Sequence, residues 1–264
     1  MQDLQKKYGD KILFGSHRGD RAHYPENTMP AFRATGDMGC DAVETDVRMT
    51  ADGHLVLIHD RSVARTTNGE GNIDEMTLEQ VRALDAGSWK GEAFAGVQIP
   101  TVEEFLEYVS GTDMIVNWEL KEYPLELGER AYICVDKLVE LIDHYGMAER
   151  SLMNSFSQKM LEYVEDKWPG KFEIHSYIGY TKKDVSDKPV EDFSQWAAIW
   201  HKDENHTAGF AEDYEYAMSR GIWTCILVKD TVGEYKKAID LGCRMFTSDD
   251  PETGLKVLKE LGYR

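Results

Sequence analysis

DAVETDVRMTADGHLVLIHD, residues 41–60, holds two extended runs joined by a turn signal. In a strand, side chains two apart point to the same side, so Glu44 and Asp46 share one face of the first run, Ala42 to Arg48. Past Met49, only Thr50, Ala51, Asp52 and Gly53 lie between that strand and the second run, His54 to His59, too few for a crossover helix. An Asp-Gly pair between extended runs is a strong hairpin signal, and the second run is expected to return antiparallel to the first. With Asp52 and Gly53 as a two-residue loop, Ala51 faces His54 and Asp46 faces His59.

Outward from this arm, short apolar runs alternate with segments of helical periodicity, the signature of repeated βα units. The extended candidates are Lys11 to His17, Ala42 to Arg48, Met114 to Leu120, Ser151 to Phe156, Phe172 to Ile178, Ala197 to Trp200, Ile222 to Val228 and Met245 to Ser248. Eight is the strand number of a TIM (β/α)8 barrel, an α/β fold that accommodates 264 residues as one domain. Helices are expected over Met29 to Met38, Thr101 to Val109, Leu127 to Tyr145, Gln158 to Lys167, Ala211 to Arg220, Gly233 to Leu241 and Gly254 to Leu261. Gly146, Gly221 and Gly242 follow three of them, where a C-cap needs positive φ. The helix between Phe172 and Trp200 is weak, because TKKDVSDKPVEDFSQ is polar and contains Pro189. The residues after His59-Asp60, 60–111, are too long for a simple βα loop and read as a small insertion over the same barrel face, either shaping substrate access or serving as a structural excursion.

A formal charge of -18 argues against binding to nucleic acid or stable association with an anionic membrane, since both reward a basic face. A phosphate-bearing small molecule would then need a local correction from a cation or a few placed Arg and Lys side chains. Cys40, Cys134, Cys225 and Cys243 lack metal-like spacing and read as buried free thiols. The N-terminal residues carry no apolar signal segment, and the expectation is a soluble, cytoplasmic protein.

Two more charged residues, Glu119 and Lys121, share a face at the end of NWELK. Burying Glu44, Asp46 and Glu119 at the ends of apolar strands costs several kcal/mol per ion, about the scale a hard divalent cation offsets. These three are the expected metal ligands. His17 closes the first strand in GSHRG, and the hairpin brings His59 to the same end. Phosphodiester cleavage needs a base for the attacking hydroxyl, an acid for the leaving alkoxide and cations for the phosphoryl oxygens. Two histidines, a metal, Arg18 and Lys121 supply them, with the acid and base roles left open between His17 and His59.

HRGDRAHYPENTMPAF, DAVETDVRMTADGHLVLIHD, RTTNGEG, NWELK, SFS, GIWTCIL and FTSDDPE together resemble the glycerophosphodiester phosphodiesterases over essentially the whole chain. The resemblance implies a TIM barrel that releases glycerol 3-phosphate and an alcohol, with His17 and His59 as the acid/base pair. It implies Mg2+ or Ca2+ on Glu44, Asp46 and Glu119, substrate phosphate on Arg18 and Lys121, and attack by the glycerol 2-hydroxyl through a cyclic intermediate. Asn27 or Thr28 is expected to N-cap the helix entering at Pro30, while Glu26 could reach the metal. Arg65 anchors the insertion or touches phosphate, and Trp223 walls the glycerol pocket or belongs to the core. His201 and His206, in the idiosyncratic WHKDENHTAGF, read as solvent-facing loop residues. The rival readings are a phosphodiesterase of the same fold acting on a lysophospholipid or phosphoinositide, a noncatalytic binding barrel, and a sugar isomerase barrel.

Overall fold

The computed structural model describes residues 4–178, 184–199 and 208–264. Its strands are β1 (Leu13–His17), β2 (Ala42–Met49), β3 (Leu55–Leu57), β4 (Ile115–Leu120), β5 (Ser151–Asn154), β6 (Glu173–Ile178), β7 (Trp196–Ile199), β8 (Trp223–Leu227) and β9 (Met245–Ser248). All but β3 are parallel, and because β1 pairs with both β9 and β2, the eight close into the expected barrel. The helices are α1 (Leu4–Tyr8), α2 (Met29–Asp37), α3 (Leu78–Arg82), α4 (Val102–Val109), α5 (Pro124–Leu127), α6 (Glu129–His144), α7 (Gln158–Lys167), α8 (Ala211–Ser219), α9 (Val232–Asp240) and α10 (Pro251–Glu260).

Helical periodicity explains the outer layer. In α6, Ala131, Cys134, Val135, Leu138, Val139 and Ile142 fall on one buried stripe and join Val43, Val47 and Trp118 of the barrel wall in one cluster. Inside the barrel the lower end is filled by Leu13, Ala42, Ile115, Leu152, Trp196, Cys225 and Met245, with Leu4 of α1 packed against them. This apolar floor leaves the C-terminal end of the strands as the place for polar chemistry.

The glycines at 146, 221 and 242 have φ of +66°, +71° and +103°, as C-caps require. Between β6 and β7 the described residues hold only a 3-10 turn, Val190–Asp192, in line with the polar sequence there. Within residues 60–111, α4 packs into the barrel's outer cluster through Val102, Phe105, Leu106 and Val109. The residues before it form their own small cluster of Val63, Ile73, Val81, Ala86 and Ile99 on Val56 and Ile58. All four cysteines are free and buried, and burial pushes the Cys40 and Cys225 thiols up to about 12. No helix among the described residues is long and apolar enough to cross a membrane.

The hairpin exists, but its register is one residue from the expected one. β3 pairs antiparallel to β2 with Val47 opposite Leu57 and Met49 opposite Leu55, and the Ile58 amide donates to the Asp46 carbonyl at 3.0 Å. Asp46 therefore faces Ile58 and not His59. The turn takes three residues, Ala51 to Gly53, because the Thr50 amide bonds the His54 carbonyl at 2.8 Å and Gly53 adopts φ +84°. A three-residue loop ending in a left-handed glycine is the next most common hairpin solution. Thr50 and Asp52 stabilise it here: the Thr50 hydroxyl donates to Asp52 at 2.6 Å and accepts from the His54 amide at 2.9 Å.

Candidate active site

β1, β2 and β4 end side by side at the barrel mouth, and the parallel register sets Glu44 beside His17 and Glu119 beside Asp46. Carboxylate oxygens of Glu44, Asp46 and Glu119 lie within 4.8 Å of one another, and all three residues are buried. Lys121 Nζ reaches Glu119 at 2.5 Å and Asp46 at 3.2 Å, while Arg18 Nε lies 3.3 Å from Asp46. Glu44 receives the Arg18 amide on Oε2 at 3.0 Å, yet its buried Oε1 makes no hydrogen bond among the described residues. A buried carboxylate oxygen without a donor is costly, and a cation would satisfy it. The oxygen-only donor set suits a hard divalent ion.

Burial and repulsion from Asp46 and Glu119 push the Glu44 carboxyl well above its ordinary range, and Arg18 and Lys121 only partly oppose this. Asp46 goes the other way. Burial disfavours its charge, but Lys121, Arg18 and His59 together hold it well below the usual carboxylate range. Lys121 is likewise kept charged by Glu119 and Asp46 against its own burial.

The two histidines flank this cluster. His17 Nδ1 lies 2.6 Å from Asp249 Oδ1, and its Nε2 is turned inward, 3.9 Å from Glu44. His59 has left the β3 ladder and still reaches the mouth, since Arg48 Nε donates to its carbonyl at 3.0 Å and Nη1 to the Lys121 carbonyl at 3.2 Å. Its Nδ1 sits 2.6 Å from Asp60 Oδ1. Burial lowers the proton affinity of His59, outweighing the pull of Asp46.

Asn27 is not the expected helix cap. Thr28 holds the N-cap position of α2 without a side-chain cap bond, its hydroxyl donating instead to the Pro25 carbonyl at 2.6 Å. Asn27, in the left-handed region at φ +54°, points inward: its amide nitrogen donates to Asp46 Oδ2 at 2.7 Å and its oxygen accepts from Thr45 at 2.9 Å. Glu26 does not reach the carboxylate cluster. It accepts from Arg18 at 2.9 Å and from Arg65 at 2.8 and 3.0 Å, and Arg65 also bonds Asp60, which anchors the start of the insertion.

Trp223 is at the wrong end for a pocket wall. It opens β8 at the N-terminal end, edge-on to Trp196 with ring centroids 5.3 Å apart and packed on the apolar floor. A strand's first residue cannot reach a mouth built from strand ends, so the core alternative holds. Aromatic surface at the mouth comes instead from Phe156, stacked on Tyr177 at 3.8 Å with Lys121 Nζ 5.7 Å from its ring. His201 and His206 lie outside the described residues.

Arg18 and Gly19 turn the chain at the mouth, with φ of +60° and +77°. A Cβ on Gly19 would meet Ala31 Cβ at 2.7 Å and its carbonyl carbon at 2.8 Å. Gly19→Ala is accordingly expected to destabilise the fold by about 1–3 kcal/mol, the scale of a strained backbone position. Urea denaturation reads this as a lower midpoint, and an unmoved midpoint would contradict the packing described.

Sequence reading missed Asp249 and Arg21 as partners of His17. The Arg21 guanidinium lies 3.3 Å from His17 Nδ1 and 3.4 Å from Asp249. The barrel-closing register would have revealed Asp249, since Ser16 pairs with Ser248 and His17 and Asp249 come next. Without the chain closure, 232 residues separate them.

A family model described as "Glycerophosphoryl diester phosphodiesterase family" matches residues 17–253. A glycerophosphodiester phosphodiesterase from Caldanaerobacter subterraneus subsp. tengcongensis is 43% identical over 160 residues, 60% of this chain and 64% of that protein's own length. One from Bacillus altitudinis is 29% identical over 255 residues, 93% of this chain and 98% of the relative. Among solved structures, an Oleispira antarctica phosphodiesterase in complex with the product sn-glycerol-3-phosphate superposes with a TM-score of 0.79 at 25% identity, covering 96% of this chain and 98% of that one.

Proposed function

Since the chain belongs to the glycerophosphoryl diester phosphodiesterase family, we propose that it hydrolyses glycerophosphodiesters to glycerol 3-phosphate and an alcohol in a metal-dependent reaction. The observation that carries this reading is the buried Glu44, Asp46 and Glu119 cluster, with its unsatisfied Glu44 oxygen, set between two histidines each held by a carboxylate. Glu44, Asp46 and Glu119 are the ligands of a divalent cation, Mg2+ or Ca2+. Bound there, the ion supplies charge neutralisation for the phosphoryl oxygens. Arg18 and Lys121 add fixed positive charge beside it. His17 and His59 divide the two proton transfers, one taking the proton of the attacking hydroxyl and the other protonating the leaving alkoxide. Each ring offers Nε2 for this, because Nδ1 is engaged by Asp249 or Asp60.

The proposed substrates are small, soluble, deacylated diesters, and the proposed role is a late step of glycerophospholipid degradation in the cytoplasm. The charge of -18 favours this over a substrate embedded in an anionic membrane. Glycerophosphocholine and glycerophosphoethanolamine are expected to turn over with higher kcat/KM than lysophosphatidylcholine, measured by coupled detection of the phosphorylated product. The reverse order would shift the assignment to a lysophospholipid phosphodiesterase, and turnover of none of them would favour a binding barrel.

A further inference from the structure

The two histidines are held in matching ways by residues that no motif reading assigns. His59 is gripped by its sequence neighbour Asp60, which Arg65 bonds in turn, whereas His17 is gripped across the barrel seam by Asp249, with Arg21 close to both. The arms meet at Glu26, whose carboxylate takes Arg65 and Arg18 and has Arg21 Nη2 at 3.8 Å.

We propose that Asp249 is the positioning residue of His17, fixing the ring as its Nδ1-protonated tautomer with the Nε2 lone pair turned to the carboxylate cluster. The proposal rests on His17 being one of the proton-transfer groups. Three distances decide the tautomer. Nδ1 stands 2.6 Å from Asp249 Oδ1, the range of a charge-assisted hydrogen bond, and a carboxylate in this setting can only accept. Arg21 Nη1 is 3.3 Å from the same Nδ1, and a guanidinium can only donate. The shorter contact wins, so Nδ1 carries the hydrogen and Arg21 serves Asp249 at 3.4 Å. The His17 bond, reinforced by Arg21 and Arg18, also keeps Asp249 ionised, its carboxyl lying below the usual range although burial works against that.

Backbone contacts support the same role. The Asp249 carbonyl accepts from the Ala22 amide at 2.9 Å, and the Arg21 carbonyl accepts from Lys90 at 2.7 Å. The loop after β1, the strand end of β9 and the insertion are thereby locked together around one imidazole. Tyr24 on Phe94, with centroids 5.6 Å apart, adds an apolar contact to the same junction.

The test uses the magnesium-loaded full chain, labelled with 15N-histidine, at a pH where the ring is neutral. Long-range proton–nitrogen correlation should show His17, assigned through the His17→Ala spectrum, protonated on Nδ1, and Asp249→Ala should move that proton to Nε2. The same variant should lose about 10²-fold or more in kcat, the scale of a misplaced catalytic group, with KM for glycerophosphocholine within about threefold of wild type. An Nε2-protonated His17 in the wild-type spectrum would overturn the proposal, whether or not the variant folds. So would an Asp249→Ala kcat within about threefold of wild type when His17→Ala is inactive. If His17→Ala itself keeps turnover, the proton-transfer assignment of His17 fails, which the spectrum distinguishes from failure of the Asp249 bond.

Discussion

His17→Ala and His59→Ala are each expected to lower kcat for glycerophosphocholine by about 10²- to 10⁴-fold, the usual cost of losing a general acid or base. The fold should survive. Neither ring belongs to an apolar cluster, both stand partly exposed at the mouth, and the short Nδ1 hydrogen bond each gives up is to a carboxylate that water can reach, Asp249 or Asp60. Circular dichroism and the urea midpoint would separate loss of chemistry from loss of structure. The double variant should be little worse than either single one if the rings act as a unit in one reaction. Near-wild-type turnover in either single variant would remove that residue from the proton transfers.

Metal removal should have an effect of similar size. Three carboxylates packed within 4.8 Å have Arg18 and Lys121 as their close Arg and Lys partners among the described residues, so negative charge outnumbers positive in the stripped cluster and disfavours a phosphodiester. Dialysis against EDTA is expected to reduce turnover by orders of magnitude, and Mg2+ or Ca2+ to restore it. A second readout does not depend on activity. A ligand that binds only the folded state adds about 2.7 kcal/mol of stability at one hundred times its Kd, or roughly 5–10 °C in Tm for a domain of this size. Glu119→Gln should shrink both the rescue and the thermal shift. Full turnover after stripping, with Tm unmoved by either ion, would exclude a bound cation at this cluster.

How far residues alone foretell this site depends on how local each determinant is. Glu44, Asp46, Glu119 and Lys121 were legible because strand alternation is fixed at two residues and the charged pairs interrupt apolar neighbours, Val43 and Val47 in one strand and Trp118 and Leu120 in the other. The hairpin was legible from Asp52 and Gly53, but its register was not: Thr50 and Asp52 hydrogen-bond each other and favour a three-residue turn, a choice that side-chain spacing does not reveal. Asn27 misled because an asparagine before a helix usually caps it, whereas here the buried Asp46 offers a charged acceptor at 2.7 Å. Trp223 misled although its expected strand, Ile222 to Val228, already set it at the N-terminal end, away from a mouth built from the C-terminal ends of the strands. Asp249 was hidden by sequence distance and became visible only when β9 closed on β1.

The most direct test is phosphorus-31 NMR of glycerophosphocholine incubated with the metal-loaded protein. The expected result is conversion of the diester resonance to that of glycerol 3-phosphate, lost in His17→Ala and His59→Ala. An unchanged diester resonance, or phosphocholine as the phosphorylated product, would contradict glycerophosphodiester hydrolysis with this regiochemistry at the mouth of the barrel.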